Sequence, residues 1–285
     1  MRVVRISLCM LVLYIFAVQA DVGGSEPIVV SEGEEWSVIE SDFYKIHYSE
    51  KYKEDAIKVK GFLDLTIKAM REEFKAHDPN AILERILCNV FLHPEPNNKA
   101  RDGMSLCYTN YIKDKCHAEL HFLTPSMYRE DSKNVVGELK KTDHYFHRYV
   151  VHEYSSIFLG VIVRSKSGGW HKNRSEAPSW FWQGYEEYLG MVRSSKHSRT
   201  VTYQKYLDVV RKNPSRIKVA FGLQTRDSYI DGFALLAFMH DHFGREMVQS
   251  ILMSEKETFG EAVEHCLETN LDDFHNAFKE WLKKS

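Results

Sequence analysis

His152 and Glu153 are neighbours, and Ser156 follows the histidine by four residues. On a helix, residues i and i+4 share a face. Two imidazoles at that spacing grip one metal ion, while a glutamate beside the first reaches the metal-bound water. Here the first imidazole and the glutamate are present, and a serine hydroxyl stands where the second imidazole would be. Ser155 and Ser156 beside His152 also invite a Ser–His nucleophile. No G-x-S-x-G elbow accompanies them, and adjacent helix residues rarely align that way.

The elements that must position these groups follow from the apolar pattern. Trp36 to Tyr48 alternates apolar and polar residues, as one or two strands do. Lys51 to Ala76 carries Ala56, Val59, Phe62, Leu63, Ile67, Met70 and Phe74 on one helical face. Ile86–Leu92, Ser105–Tyr111 and Ala118–Leu123 read as further strands. From Asp143 onward the pattern is helical: one helix through Val151–Leu159, then Trp180–Val192, Val201–Arg211, Tyr229–His242 capped by Gly244, Met247–Met253 and Leu271–Leu282. Strands first and helices afterwards predict an α+β fold, a mixed sheet with one long helix followed by a mostly helical half.

Length and composition narrow the class. The chain has 285 residues, 44% hydrophobic and 27% charged, with a net charge of −2. These are ordinary values for a globular protein, and they give no electrostatic case for a nucleic-acid partner. Two arginines in the first five residues, an apolar run from Ile6 to Val18 and Ala17-Val18-Gln19-Ala20 form a three-part export signal with cleavage after Ala20. The apolar run is too short to be a comfortable membrane span. The expected organisation is a signal at 1–20, a polar leader at 21–35 and one domain at 36–285, divided into a sheet part near 36–140 and a helical part near 141–285. Export predicts a secreted protein, disulfides among Cys88, Cys107, Cys116 and Cys266, and a glycan on the Asn173-Arg174-Ser175 sequon. Cys107 with Cys116 and Cys88 with Cys266 is one pairing; the other two stay open.

Downstream of His152, the run Ala177-Pro178-Ser179-Trp180-Phe181-Trp182-Gln183-Gly184-Tyr185-Glu186-Glu187-Tyr188 resembles the P-x-W-x-x-E-G-x-A-E-Y segment of gluzincin metallopeptidases. That clan includes the thermolysin-like peptidases and related aminopeptidases. Ser228-Tyr229-Ile230-Asp231-Gly232-Phe233 resembles the segment where the clan places an oxyanion-stabilising tyrosine. The ordered set covers the chain from about Trp36 to its end.

The resemblance implies a gluzincin-like cleft between the sheet and the helical half. It makes His152 the first zinc ligand, Glu153 the general base and Tyr229 the oxyanion partner. Ser156 and Gln183 stand where the other two ligands belong. A hydroxyl and a neutral amide are poor substitutes, because catalytic zinc needs three protein ligands and an open water position. Glu187, one turn after Gln183, and His171, in the loop between the two site helices, are possible substitute ligands. His144 is eight residues before His152 and near its face; His147 is rotated away. The Trp170, Trp180, Trp182, Tyr185 and Tyr188 cluster reads as core packing before it reads as a cleft lining.

The expectation is a secreted pseudopeptidase that needs no cofactor. It would hold a peptide, protein or small-molecule ligand in the retained cleft. The alternatives are an enzyme with a rebuilt zinc site or Glu153/Tyr229 acid–base chemistry, and a secreted effector or toxin.

Overall fold

A computed structural model describes residues 36–100, 106–127, 143–165, 177–196, 198–214, 217 and 227–285. The expected signal, the leader, Trp170, His171 and the Asn173 sequon lie outside the described residues.

Five strands, β1 (Ser37–Glu40), β2 (Tyr44–Tyr48), β3 (Ile86–His93), β4 (Leu106–Ile112) and β5 (Lys115–Leu123), form one sheet in the order β1-β2-β3-β5-β4. β2, β3 and β5 run parallel; β1 and β4 close the edges antiparallel. The α+β expectation holds, with a mixed sheet. Alternation sorts the side chains. Tyr44, Ile46, Cys88, Val90, Leu92, Ala118, Leu120 and Phe122 belong to one face and are buried. His47, Asn89, Phe91, His93, Glu119 and His121 belong to the other.

Helix α1 (Lys53–Glu73) connects β2 to β3, with the short α2 (Pro79–Leu83) behind it. It presents Ala56, Val59, Leu63, Ile67 and Met70 at three- and four-residue intervals, all buried. Among the described residues the remaining α-helices are α3 (Asp143–Arg164), α4 (Ser179–Arg193), α5 (Tyr203–Lys212), α6 (Ile230–Phe243), α7 (Arg245–Met253), α8 (Phe259–Leu267) and α9 (Leu271–Lys284). α8 was not anticipated. It is short and begins with a capping box, the Thr258 hydroxyl accepting from the Glu261 amide and the Glu261 carboxylate from the Thr258 amide. Gly244 ends α6 as expected, with φ +87, a positive-φ backbone that glycine adopts at little cost.

α3 is apolar on nearly every side. Val150, Val151, Tyr154, Ile157, Phe158, Leu159, Val161 and Ile162 are all buried. Such a helix belongs in the interior, and it packs against α1, the sheet and α4. One compact unit, Glu35–Ser285, contains all of this.

The expected disulfides are not made: Cys88, Cys107, Cys116 and Cys266 are not bridged to one another. The register gives the reason for two of the pairings. Cys107 lies opposite Leu120 and Cys116 opposite Tyr111, so the two cysteines sit four steps apart along the hairpin. At strand rise that is roughly 13 Å, and a bridge needs Cα atoms within about 7 Å. Cys88 lies opposite Ala118, two steps from Cys116, which leaves that diagonal near roughly 8 Å.

Candidate active site

Arg148, His152 and Ser156 interrupt the apolar surface of α3. They are four residues apart and form one polar stripe. α4 lies alongside and comes close because residue 190 is glycine. A Cβ there would sit 3.2 Å from Arg148 Cγ and 3.7 Å from His152 Cβ. The approach brings two buried α4 carboxylates against the stripe. Glu186 Oε2 is 3.4 Å from His152 Nε2, and Glu187 Oε2 is 3.9 Å from His152 Nδ1.

A second close approach completes the site. A Cβ on Gly184 would fall 2.4 Å from the Gly232 carbonyl carbon, so α4 and α6 touch backbone to backbone. Tyr229, at the start of α6, is held there by its amide donating to Asp227 Oδ1 at 3.0 Å. Its ring stacks on His152 with centroids 5.9 Å apart.

The electrostatics follow from burial. The Arg148 guanidinium is ion-paired with Glu187 and lies 4.4 Å and 5.1 Å from the Tyr145 and Tyr149 ring centroids. Both members of that pair are almost fully buried, so each needs the other to offset lost hydration. Burial pushes the Glu186 carboxyl up to about 7. His152 and a hydrogen bond from Ser156 hold it down, while Glu153 and Glu187 add to the rise. The edge strand β4 contributes Cys107. Its thiol is pushed up by burial first, then by the charges of Glu153 and Glu186.

The residues singled out in the sequence separate into groups. His152, Ser156, Glu187 and Tyr229 converge, and Glu153 lies near Glu186 and Cys107. The Gln183 side-chain oxygen is buried without a hydrogen-bond partner among the described residues. Ser155 donates its hydroxyl to the His152 carbonyl at 2.8 Å, so it is a helix-satisfied serine and not a nucleophile. Trp180 and Tyr185 are fully buried core residues. His147 stacks on Phe62 with centroids 4.9 Å apart, on the side of α3 facing α1. Two members of the network were missed, Glu186 and Arg148. The available signal was Arg148 itself, a charged residue one turn before His152 in a helix otherwise built for the interior.

The donors present do not fit a catalytic zinc. Glu186 faces Nε2 and Glu187 faces Nδ1, so the two carboxylates address opposite edges of the ring and cannot join it on one ion. Glu187 is also engaged by Arg148. A rebuilt site from His152, Glu187 and His171 is therefore not supported by Glu187, and His171 lies outside the described residues. No protein-family model matches the chain, and no curated protein matches it.

Proposed function

We propose that this chain is a secreted, gluzincin-like pseudopeptidase. In this reading it binds a peptide or small ligand in a cleft between strand β4 and helices α3, α4 and α6, and does not hydrolyse it. The observation that carries the reading is the buried Arg148–Glu187 ion pair beside His152. A peptidase site of this clan is organised around a metal cation. Here the buried positive charge is a guanidinium, and the polar groups around His152 engage one another. Glu153 without a metal-bound water has no activated nucleophile to serve.

Zinc titration of the mature protein by calorimetry tests this directly. No tight one-to-one binding is expected; stoichiometric zinc lost on His152→Ala would overturn the reading. A peptide-library assay with Glu153→Gln as control should detect no cleavage that depends on Glu153. Chemical-shift mapping with the same library should report binding at Tyr229 and β4.

A second reading has its own observation. His152 Nε2 faces a carboxyl held near neutrality, with the Tyr229 ring against the imidazole. A proton-transfer enzyme would use such a pair near neutral pH. That reading requires an activity whose pH profile loses its limb near 7 in Glu186→Gln.

A further inference from the structure

The sheet face turned away from α3 carries a second polar network, built from one loop and two strands. In the loop after β3, the Asn97 side-chain oxygen accepts from the Lys99 and Ala100 amides at 2.8 and 2.9 Å. Those two bonds fix the orientation of the amide, so its NH2 must be the donor to His93 Nδ1 at 2.8 Å. His93 then carries its proton on Nε2 and donates to His121 Nδ1 at 2.9 Å. His121 in turn carries its proton on Nε2 and donates to Glu119 Oε2 at 3.2 Å. Asn97, His93, His121 and Glu119 thus form one directional chain in which both imidazoles are neutral.

Proton counting shows what the chain excludes. It has three gaps and three hydrogens, one per gap. A proton added to either imidazole puts two hydrogens in one gap, either between the rings or between His93 and Asn97. The rings sit on paired strands, with His93 opposite Leu123 and His121 opposite Phe91. Asn97 sits on a loop and is the member able to leave.

We propose that the His93–His121 pair is an acid-sensitive latch that holds the Pro94–Ala100 loop against the sheet through Asn97 and releases it when either ring is protonated. The latch does not depend on the proposed function, because it lies on the opposite face of the sheet. The groups facing it are Glu119 from β5, Lys99 from the loop and His47 on β2 across the Phe91 ring. β4 presents the edge of Tyr108, and Trp36 packs edge-on against His93. Burial, with Lys99 adding to it, depresses both histidines to about 4, and His121 further depresses His93. A histidine held below its free value stabilises the closed state above about pH 6.5, and that stability is lost as pH falls towards 4. Full return of one imidazole from about 4 to about 6.5 on release sets the ceiling, a gain of roughly thirtyfold for the open loop at pH 5.

Amide hydrogen exchange across pH 7 to 4.5, divided by intrinsic rates, reads the latch at Lys99 and Ala100. Protection at these two amides should fall more than tenfold by pH 5, while Val90 and Leu120 in the sheet stay protected. His93→Gln/His121→Gln should abolish the pH dependence. Nitrogen-15 shifts of the wild-type rings at pH 7.5 should show both protons on Nε2. A proton on His93 Nδ1, unchanged protection at pH 5, or parallel loss at Val90 and Leu120 would each overturn the proposal.

Discussion

Glu186 is a side chain whose ionisation the fold opposes at the candidate site. Its carboxyl is raised from 4.5 to about 7, so the folded state holds the proton over a range where the unfolded chain has released it. The stability contributed by this group is present below about pH 4.5 and lost as pH rises through 7, a loss of roughly 3 kcal/mol. Urea denaturation between pH 4.5 and 8 should show the wild type falling relative to Glu186→Gln as pH rises. A parallel pair of curves would mean that Glu186 titrates normally. Arg148 acts in the opposite direction. Arg148→Met leaves Glu187 charged and buried, and should cost about 3–5 kcal/mol. Adding Glu187→Leu should recover most of that loss by the same measurement. The pairing was only half visible in the sequence. The i, i+4 spacing that made His152 and Ser156 conspicuous also includes Arg148, but nothing local says which carboxylate on a distant helix will meet it.

Helices α4 and α6 meet through glycine, and two glycines in this chain predict opposite responses to the same substitution. Gly184→Ala drives a methyl into the Gly232 backbone. It should cost about 1–3 kcal/mol and displace Tyr229 from His152, which tyrosine ring shifts in NMR would report. Gly61 lies on the exposed side of α1, where an added methyl would meet nothing within 4 Å among the described residues. Gly61→Ala should stabilise by about 0.5–1 kcal/mol. Most helices were legible because their apolar intervals are regular, as in α1 and α9. α8 is no shorter than α7, which was legible, and its signal was there to read: the Thr258/Glu261 capping box followed by Phe259, Ala262, Val263 and Leu267 at helical intervals. The sheet was legible as strands but not as an order. Placing β5 between β3 and β4 depends on non-local pairing that alternation cannot encode. The disulfide expectation failed for the same reason, since register decides which cysteines can meet.

Long-range order in the fold rests partly on one buried carboxylate. Glu73, at the end of α1, accepts from Arg193 Nε at 2.8 Å and from Gln249 Nε2 at 3.1 Å, and its carbonyl also accepts from Gln249 at 2.8 Å. Residues 73, 193 and 249 come from α1, α4 and α7, so a single group joins the sheet half to the helical half. Glu73→Ala should lower the denaturation midpoint by an amount equivalent to about 3 kcal/mol or more. Glu40→Ala, which removes an exposed, solvent-screened pair with Lys45, should leave it essentially unchanged. The guanidinium of Arg148 carries a consequence for anyone redesigning this scaffold. Installing Ser156→His and Gln183→Glu adds two electron donors but leaves a fixed positive charge one helical turn from the first imidazole. A divalent ion brought into that neighbourhood meets a guanidinium that cannot lose its proton and that keeps the Glu187 carboxylate engaged. Converting the chain into a metalloenzyme therefore begins with a deletion, Arg148→Ala together with neutralisation of Glu187, before any ligand is added.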